Sequence, residues 1–292
     1  MLKTVFGKIK PLIKAMRLEE QSIVLVSYLY GWLDSHSFVK QQLNRLVYSG
    51  VGLVFLSVVS FLVNEYIDAK DTDQFRQDKQ PMSTINSTSF VATVAIFGIL
   101  GIIIAARQGF FWAGIIMLLA GIAYSWPPLR TKNRSLWDFF TLAFLFIIIP
   151  YLIPYWLSKA SILSINWLGL LFFLLLALAS NLLAIVRDIE PDRQANLTTT
   201  GTVLGYKKTL ILGALALGAS LFLAGVMLYQ KIGWWYYPTI PFALATLCIV
   251  SFCAGSRFET KRIAFYCRKA IKVGVKITYL IIAYQLAALA LI

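Results

Sequence analysis

Two short acidic stretches hold the residues of this chain best suited to chemistry. The first contains Asn64, Glu65, Asp68, Asp71 and Asp73; the second contains Arg187, Asp188, Glu190, Asp192 and Arg193. On a helix, at about 100° per residue, Asn64, Asp68 and Asp71 fall within about 40° of one another. Asp73 lands on the far side, and Glu65 sits about a quarter-turn away. Asp188 and Asp192 are also four apart, and Asn181 shares their face about two turns deeper. A few carboxylate and amide oxygens suit magnesium, which keeps several waters and bridges readily to phosphate groups. Two such clusters facing each other would hold a diphosphate between cations and stabilise it as it leaves. One acidic stretch alone reads equally well as solvated loop, and Asn181 alone as a hydrogen-bonding residue between helices. The matched pair is what argues for a shared ligand.

A third stretch runs Tyr124-Ser125-Trp126-Pro127-Pro128-Leu129-Arg130-Thr131-Lys132. The proline pair ends a helix. Arg130 could grip diphosphate oxygens in bidentate fashion, with Lys132 as a point charge. Basic residues after a membrane helix are also what orientation alone demands.

The elements that must position these residues are apolar. The 292 residues are 59% hydrophobic and only 14% charged, with mean hydropathy +0.74, where a soluble domain carries roughly a quarter charged residues. This composition predicts an all-α integral membrane protein. The net charge of +14 is spread between apolar runs rather than gathered in one stripe, which argues against nucleic acid. Cys248, Cys253 and Cys267 lack metal-type spacing, and the lone histidine, His36, reads as part of an exposed turn. Residues 1–20 are basic and amphipathic, without a small-residue cleavage site, and read as a helix lying on the inner membrane surface.

Nine runs are long enough to span a bilayer, at about residues 21–38, 46–67, 88–106, 109–127, 138–157, 163–187, 208–229, 236–254 and 273–291. With a cytoplasmic N-terminus and an outside C-terminus, 22 of the 27 Lys and Arg fall on the inside, as the positive-inside rule requires. Both acidic stretches and residues 124–134 then share the cytoplasmic face of a plasma or inner membrane. Trp234, Trp235, Tyr236 and Tyr237 form an aromatic belt at the other interface.

Together the three stretches resemble the UbiA superfamily of intramembrane prenyltransferases. That family's first motif is Asn-Asp-x-x-Asp-x-x-x-Asp; here Glu65 replaces its first Asp, and Asp71 and Asp73 flank Thr72 where its last Asp would fall. The second motif, Asp188-Ile189-Glu190-Pro191-Asp192, resembles the family's Asp-x-x-x-Asp, with Asn196 where Gly or Asp is usual. The 124–132 stretch is similar to that of the chlorophyll-synthase and lycopene-elongase branches. The resemblance implies a single domain over residues 1–292, with nine helices around a central cavity open to lipid and a cytoplasmic cap. It implies that Asn64, Asp68 and Asp71 bind one magnesium ion, and Asp188 and Asp192 a second. Asn64, Arg130, Lys132 and Arg187 would hold the diphosphate, with Asp68, Asp192 and Tyr124 around the reacting carbon.

The activity implied is magnesium-dependent transfer of a prenyl group from an allylic polyprenyl diphosphate to a lipophilic acceptor, a carotenoid polyene or an aromatic ring. A secondary transporter is the rival from another class, but it would place its carboxylates nearer the bilayer midplane. Glu65, the shifted Asp and Asn196 motivate a third reading, a family member without catalysis.

Overall fold

The computed structural model describes residues 11–35, 42–71, 87–231, 233–255 and 260–291. Residues 1–10 of the expected N-terminal interfacial helix, His36 and the 72–86 connection with Asp73 lie outside the described residues. The described chain is helical: α1 Ser22–Asp34, α2 Leu43–Asp71, α3 Ser87–Gln108, α4 Phe111–Ser125, α5 Trp137–Leu157, α6 Trp167–Gln194, α7 Thr200–Tyr229, α8 Thr239–Gly255 and α9 Thr260–Leu291. Among the described residues, six helices (α2, α3, α5, α6, α7 and α9) are long and apolar enough to cross a membrane. The other three are shorter, and α1 compensates by lying inside the bundle, with Val24, Tyr28, Tyr30, Trp32 and Leu33 all nearly inaccessible.

Hydropathy locates these helices but misplaces some of their ends. α6 runs on through Asp188 and Asp192 to Gln194. It does so despite Pro191, whose ring nitrogen cannot donate to the Arg187 carbonyl. α9 begins at Thr260, well before the expected 273, because its first turns are basic as well as helical. α7 begins at Thr200 and contains a break at Gly205, whose φ of +73° suits glycine. α5 contains a π-helical stretch, Phe144–Ile148.

Packing follows from residue size. α2 lies against α3 and α4, α6 against α7, and α1 against α5 and α9. Gly121 in α4 lets that helix approach Ser60 of α2 so closely that a side chain at 121 would collide with the Ser60 hydroxyl. The outer faces are apolar: α3 presents Val91, Ile96, Ile99, Leu100 and Ile103 outward. Such a face is untenable in water and natural in lipid.

One end of the bundle is tied to a buried carboxylate. Asp34, 3% exposed, accepts hydrogen bonds from Trp235 Nε1 at 2.7 Å and from the hydroxyls of Tyr151 and Tyr236. Asn166, which caps α6 by accepting from the Gly169 amide at 3.0 Å, stands beside them and itself receives Tyr151 through its carbonyl oxygen. Asp34→Ala leaves three buried donors without their acceptor and is expected to cost about 3–5 kcal/mol. The check is the thermal midpoint of the detergent-solubilised protein; an unchanged midpoint would show that the carboxylate is not holding these helix ends together.

Candidate functional site

Asn166 opens α6 and Asp188 lies 22 residues further along it, roughly 33 Å at the helical rise. The acidic clusters therefore occupy the end of the bundle opposite Asp34. There a cavity of about 290 Å³ is enclosed by α1, α2, α4, α5, α6, α8 and α9. Its polar wall includes Asn64, Asp68, Tyr124, Lys132, Asp188 and Asp192, with Arg187 also lining it. Its apolar wall includes Phe61 of α2 and Leu142, Leu145, Phe146 and Ile147 of α5. The π-helical stretch supplies three of these side chains, the widened turn that often marks a ligand site. Phe61 and Phe146 stack with centroids 5.2 Å apart.

Each acidic pair is held differently. On α2, Asn64 Nδ2 donates to Asp68 Oδ2 at 3.1 Å, and Ser125 Oγ at the end of α4 donates to Asn64 Oδ1 at 3.0 Å. Lys132 Nζ donates to Asp68 Oδ1 at 2.5 Å. Asp68 is 3% exposed, so this ion pair operates where water screens it little. On α6, Arg187 grips Asp188 in bidentate fashion, Nε to Oδ1 at 2.8 Å and Nη2 to Oδ2 at 2.9 Å. Asp192 is buried and accepts from Thr199 Oγ1 at 3.2 Å. Thr199 in turn caps α7.

The α2 helix does continue to Asp71, which keeps its backbone in register with Asn64 and Asp68. The Asp71 side chain, like Thr72 and Asp73, lies outside what is described. Arg130 is in the left-handed region, φ 33°, and is not among the residues lining the cavity. Asn181 lines the cavity deeper on the α6 face, where its amide meets the ligand space rather than only a neighbouring helix.

Several functional neighbours escaped the sequence reading. Asp138, at the start of α5, accepts from the Thr200 amide at 2.8 Å and from Thr200 Oγ1 at 2.6 Å. The Asn133 side chain accepts from the Thr198 amide at 2.6 Å. These bonds tie the loop bearing Lys132 to the loop that follows Asp192, so the two sides of the site are positioned together. An acidic residue in the first turn of an apolar helix was the available signal for Asp138. Arg17, Glu20 and Glu65 form a further charged group at the cavity. Arg17 lines the cavity, and Glu65 is turned onto it rather than toward the acidic face. Burial alone would weaken the Arg17 charge, but the Glu20 and Glu65 carboxylates hold its pKa above the usual arginine value.

The donor set suits a hard divalent cation. Oxygens from Asn64, Asp68, Asp188 and Asp192 meet one cavity, with lysine and arginine beside them to neutralise an anion. Among the described residues, no three carboxylate, imidazole or thiol groups converge into a metal cage. A cation here would take most of its coordination from water and a phosphate ligand, as magnesium commonly does.

Residues 22–288 match the sequence model of the UbiA prenyltransferase family. A lycopene elongase/hydratase of Corynebacterium glutamicum is 34% identical over 150 residues, 51% of this chain and 50% of that protein. One from Haloferax volcanii is 29% identical over 170 residues, 54% of this chain and 52% of that protein. The chain thus spans about half the length of the curated relatives it matches. Among solved structures, a UbiA homologue from Archaeoglobus fulgidus bound to DMAPP and Mg2+ superposes with a TM-score of 0.71 at 19% identity, over 96% of this chain and 99% of that one. The apo UbiA homologue of Aeropyrum pernix K1 gives a TM-score of 0.73 at 17% identity, over 93% and 98%. At these identities the structural likeness establishes the fold.

Proposed function

We propose a magnesium-dependent prenyl transfer for this chain, which belongs to the UbiA prenyltransferase family. The carrying observation is the convergence of both acidic helix ends, Tyr124, Lys132 and Arg187 on one cavity that continues between apolar walls. Asn64 and Asp68, with Asp71 on the same helical face, would hold one magnesium ion, and Asp188 and Asp192 would hold a second. When bound, magnesium supplies the positive charge that stabilises the departing diphosphate. The UbiA homologue from Archaeoglobus fulgidus is bound to DMAPP and Mg2+, which supports the use of magnesium.

The chain's own residues do the rest. Lys132 and Arg187, which line the cavity, face the diphosphate oxygens, and Arg130 lies on the loop that bears Lys132 as a further cation for them. The C1–O bond of the allylic diphosphate breaks, its electron pair leaving with the diphosphate. The allylic carbon is left cation-like beside the Tyr124 ring, whose π face stabilises positive charge. The prenyl tail lies along Phe61, Phe146 and the α5 aliphatic residues. A π electron pair of the acceptor then forms the new C–C bond, and diphosphate takes the proton that the acceptor loses. Walls that exclude water keep the cation-like carbon from hydrolysis.

In the membrane, the chain crosses nine times with the site under a cytoplasmic cap. The short helices α1, α4 and α8 complete the bundle between the six long ones, and the distribution of Lys and Arg supports this orientation. A carotenoid polyene is the preferred acceptor, on the strength of the Corynebacterium and Haloferax relatives. Expression in hosts making different carotenoids and polyprenyl diphosphates, followed by lipid mass spectrometry, tests this. The expected product is a C5-extended carotenoid; a prenylated quinone precursor instead would overturn the acceptor while keeping the transfer chemistry.

A further inference from the structure

Arg17 precedes the family-matched residues 22–288, yet its side chain lines the same cavity as Asp68, Lys132, Arg187 and Asp192. Its guanidinium stands over Phe61, 5.6 Å from the ring centroid. Nε donates to Glu65 Oε1 at 2.7 Å, Nη2 also reaches that oxygen, and Nη1 donates to Glu20 Oε2 at 3.0 Å. These carboxylates engage three of the five N–H groups that an arginine carries. The backbone at Arg17 is left-handed, φ 43°, a conformation uncommon for a residue with a long side chain. The Tyr124 hydroxyl lies within electrostatic range of Asp138, Asp68, Asp192 and Arg17, so the guanidinium and the acidic clusters act on one region.

Charge also favours a role toward a ligand. The cavity lining contains four carboxylates, Glu20, Asp68, Asp188 and Asp192, and three cations, Arg17, Lys132 and Arg187. Lys132 and Arg187 are paired with acidic residues that face the cavity. Arg17 is shared between the lining carboxylate of Glu20 and Glu65, which is 6% exposed and is not a lining residue. Glu65 thus holds the guanidinium at the cavity wall, and the bonds to the two carboxylates leave two of its five N–H groups for a ligand.

We infer that Arg17 is a further substrate-binding residue, a third cation for the diphosphate of the prenyl donor, positioned by Glu65. The inference rests on the prenyl-diphosphate reading of the cavity. It also gives the Glu65 departure from the family motif a physical role: this carboxylate serves arginine rather than a metal ion. Each charge-assisted hydrogen bond of this kind is worth about tenfold or more in affinity.

The test measures binding of geranyl thiolodiphosphate, whose bridging oxygen is replaced by sulfur, to the full chain in detergent with magnesium present. Arg17→Met is expected to bind about tenfold more weakly, with Arg17→Lys intermediate. Glu65→Gln keeps an oxygen that accepts from Arg17 and so still positions the guanidinium, while it removes the charge that competes for it; its affinity is expected to equal or exceed that of the unaltered chain. If Arg17 and Glu65 were only a structural strut, the probe would bind Arg17→Met as it binds the unaltered chain, or Arg17→Met and Glu65→Gln would weaken binding alike. Either result overturns the inference. Failure of the unaltered chain to bind the probe would instead overturn the prenyl-diphosphate reading itself, before any variant is compared.

Discussion

Asp192→Ala is expected to lower magnesium-dependent prenyl transfer by more than about a thousandfold while the protein still folds and inserts. Asp192 offers its carboxylate to the cavity from the last turns of α6. That carboxylate accepts a hydrogen bond from the Thr199 hydroxyl at 3.2 Å. Losing that bond costs stability of only about 1 kcal/mol. Losing a cation ligand where diphosphate charge develops removes stabilisation from the transition state itself. Asp68→Ala belongs to the same experiment but differs in kind, because it also strands the Lys132 ammonium, 14% exposed, without its carboxylate. Its thermal midpoint is therefore expected to fall further than that of Asp192→Ala. Initial rates with a radiolabelled prenyl diphosphate, alongside thermal unfolding, separate the two effects. Full activity in both variants would falsify the two-cluster mechanism.

The legible part of this molecule was the local part. The i, i+4 spacing of Asn64 with Asp68 and of Asp188 with Asp192 needed only helical periodicity, and both pairs do face one cavity. Apolar runs located the helices because bilayer-facing surface must be apolar along its whole length. The same signal misjudged α6 and α9, since hydropathy reports the thickness of the apolar layer and not where hydrogen bonding stops. Asp188 and Asp192 ride on a polar extension of α6, and the basic turns of α9 extend that helix in the same way.

What stayed hidden depends on partners far apart in sequence. Asp34 falls inside the apolar run 21–38, and its partners Tyr151 and Trp235 lie 117 and 201 residues away. Arg17 and Glu65 are 48 apart and Lys132 and Asp68 are 64 apart. No periodicity links such positions; the bundle topology does. The tie between Asp138 and Thr200 is of the same kind, joining the starts of α5 and α7, which are neighbours only once α4 to α7 have packed.

Lys132→Met is expected to lower kcat about a hundredfold and, at the same time, to lower the magnesium concentration needed for half-maximal rate. Methionine keeps the apolar stem and removes the ammonium, so packing at this 14% exposed side chain changes little. The ammonium lies 2.5 Å from Asp68 Oδ1, close enough to offset the charge of that carboxylate. Without it, the first cluster becomes more negative and attracts a divalent cation more strongly. The diphosphate, in contrast, loses a positive point charge that strengthens its hold as negative charge develops, and the rate falls. Lys132→Arg restores the charge on a wider, planar head group and is expected to recover part of the rate. The opposite signs make the experiment decisive, because a merely misfolded loop would lower kcat and raise the magnesium requirement together. A magnesium titration of initial rate for the three proteins reads both quantities, and an unchanged kcat in Lys132→Met would remove this lysine from the diphosphate site.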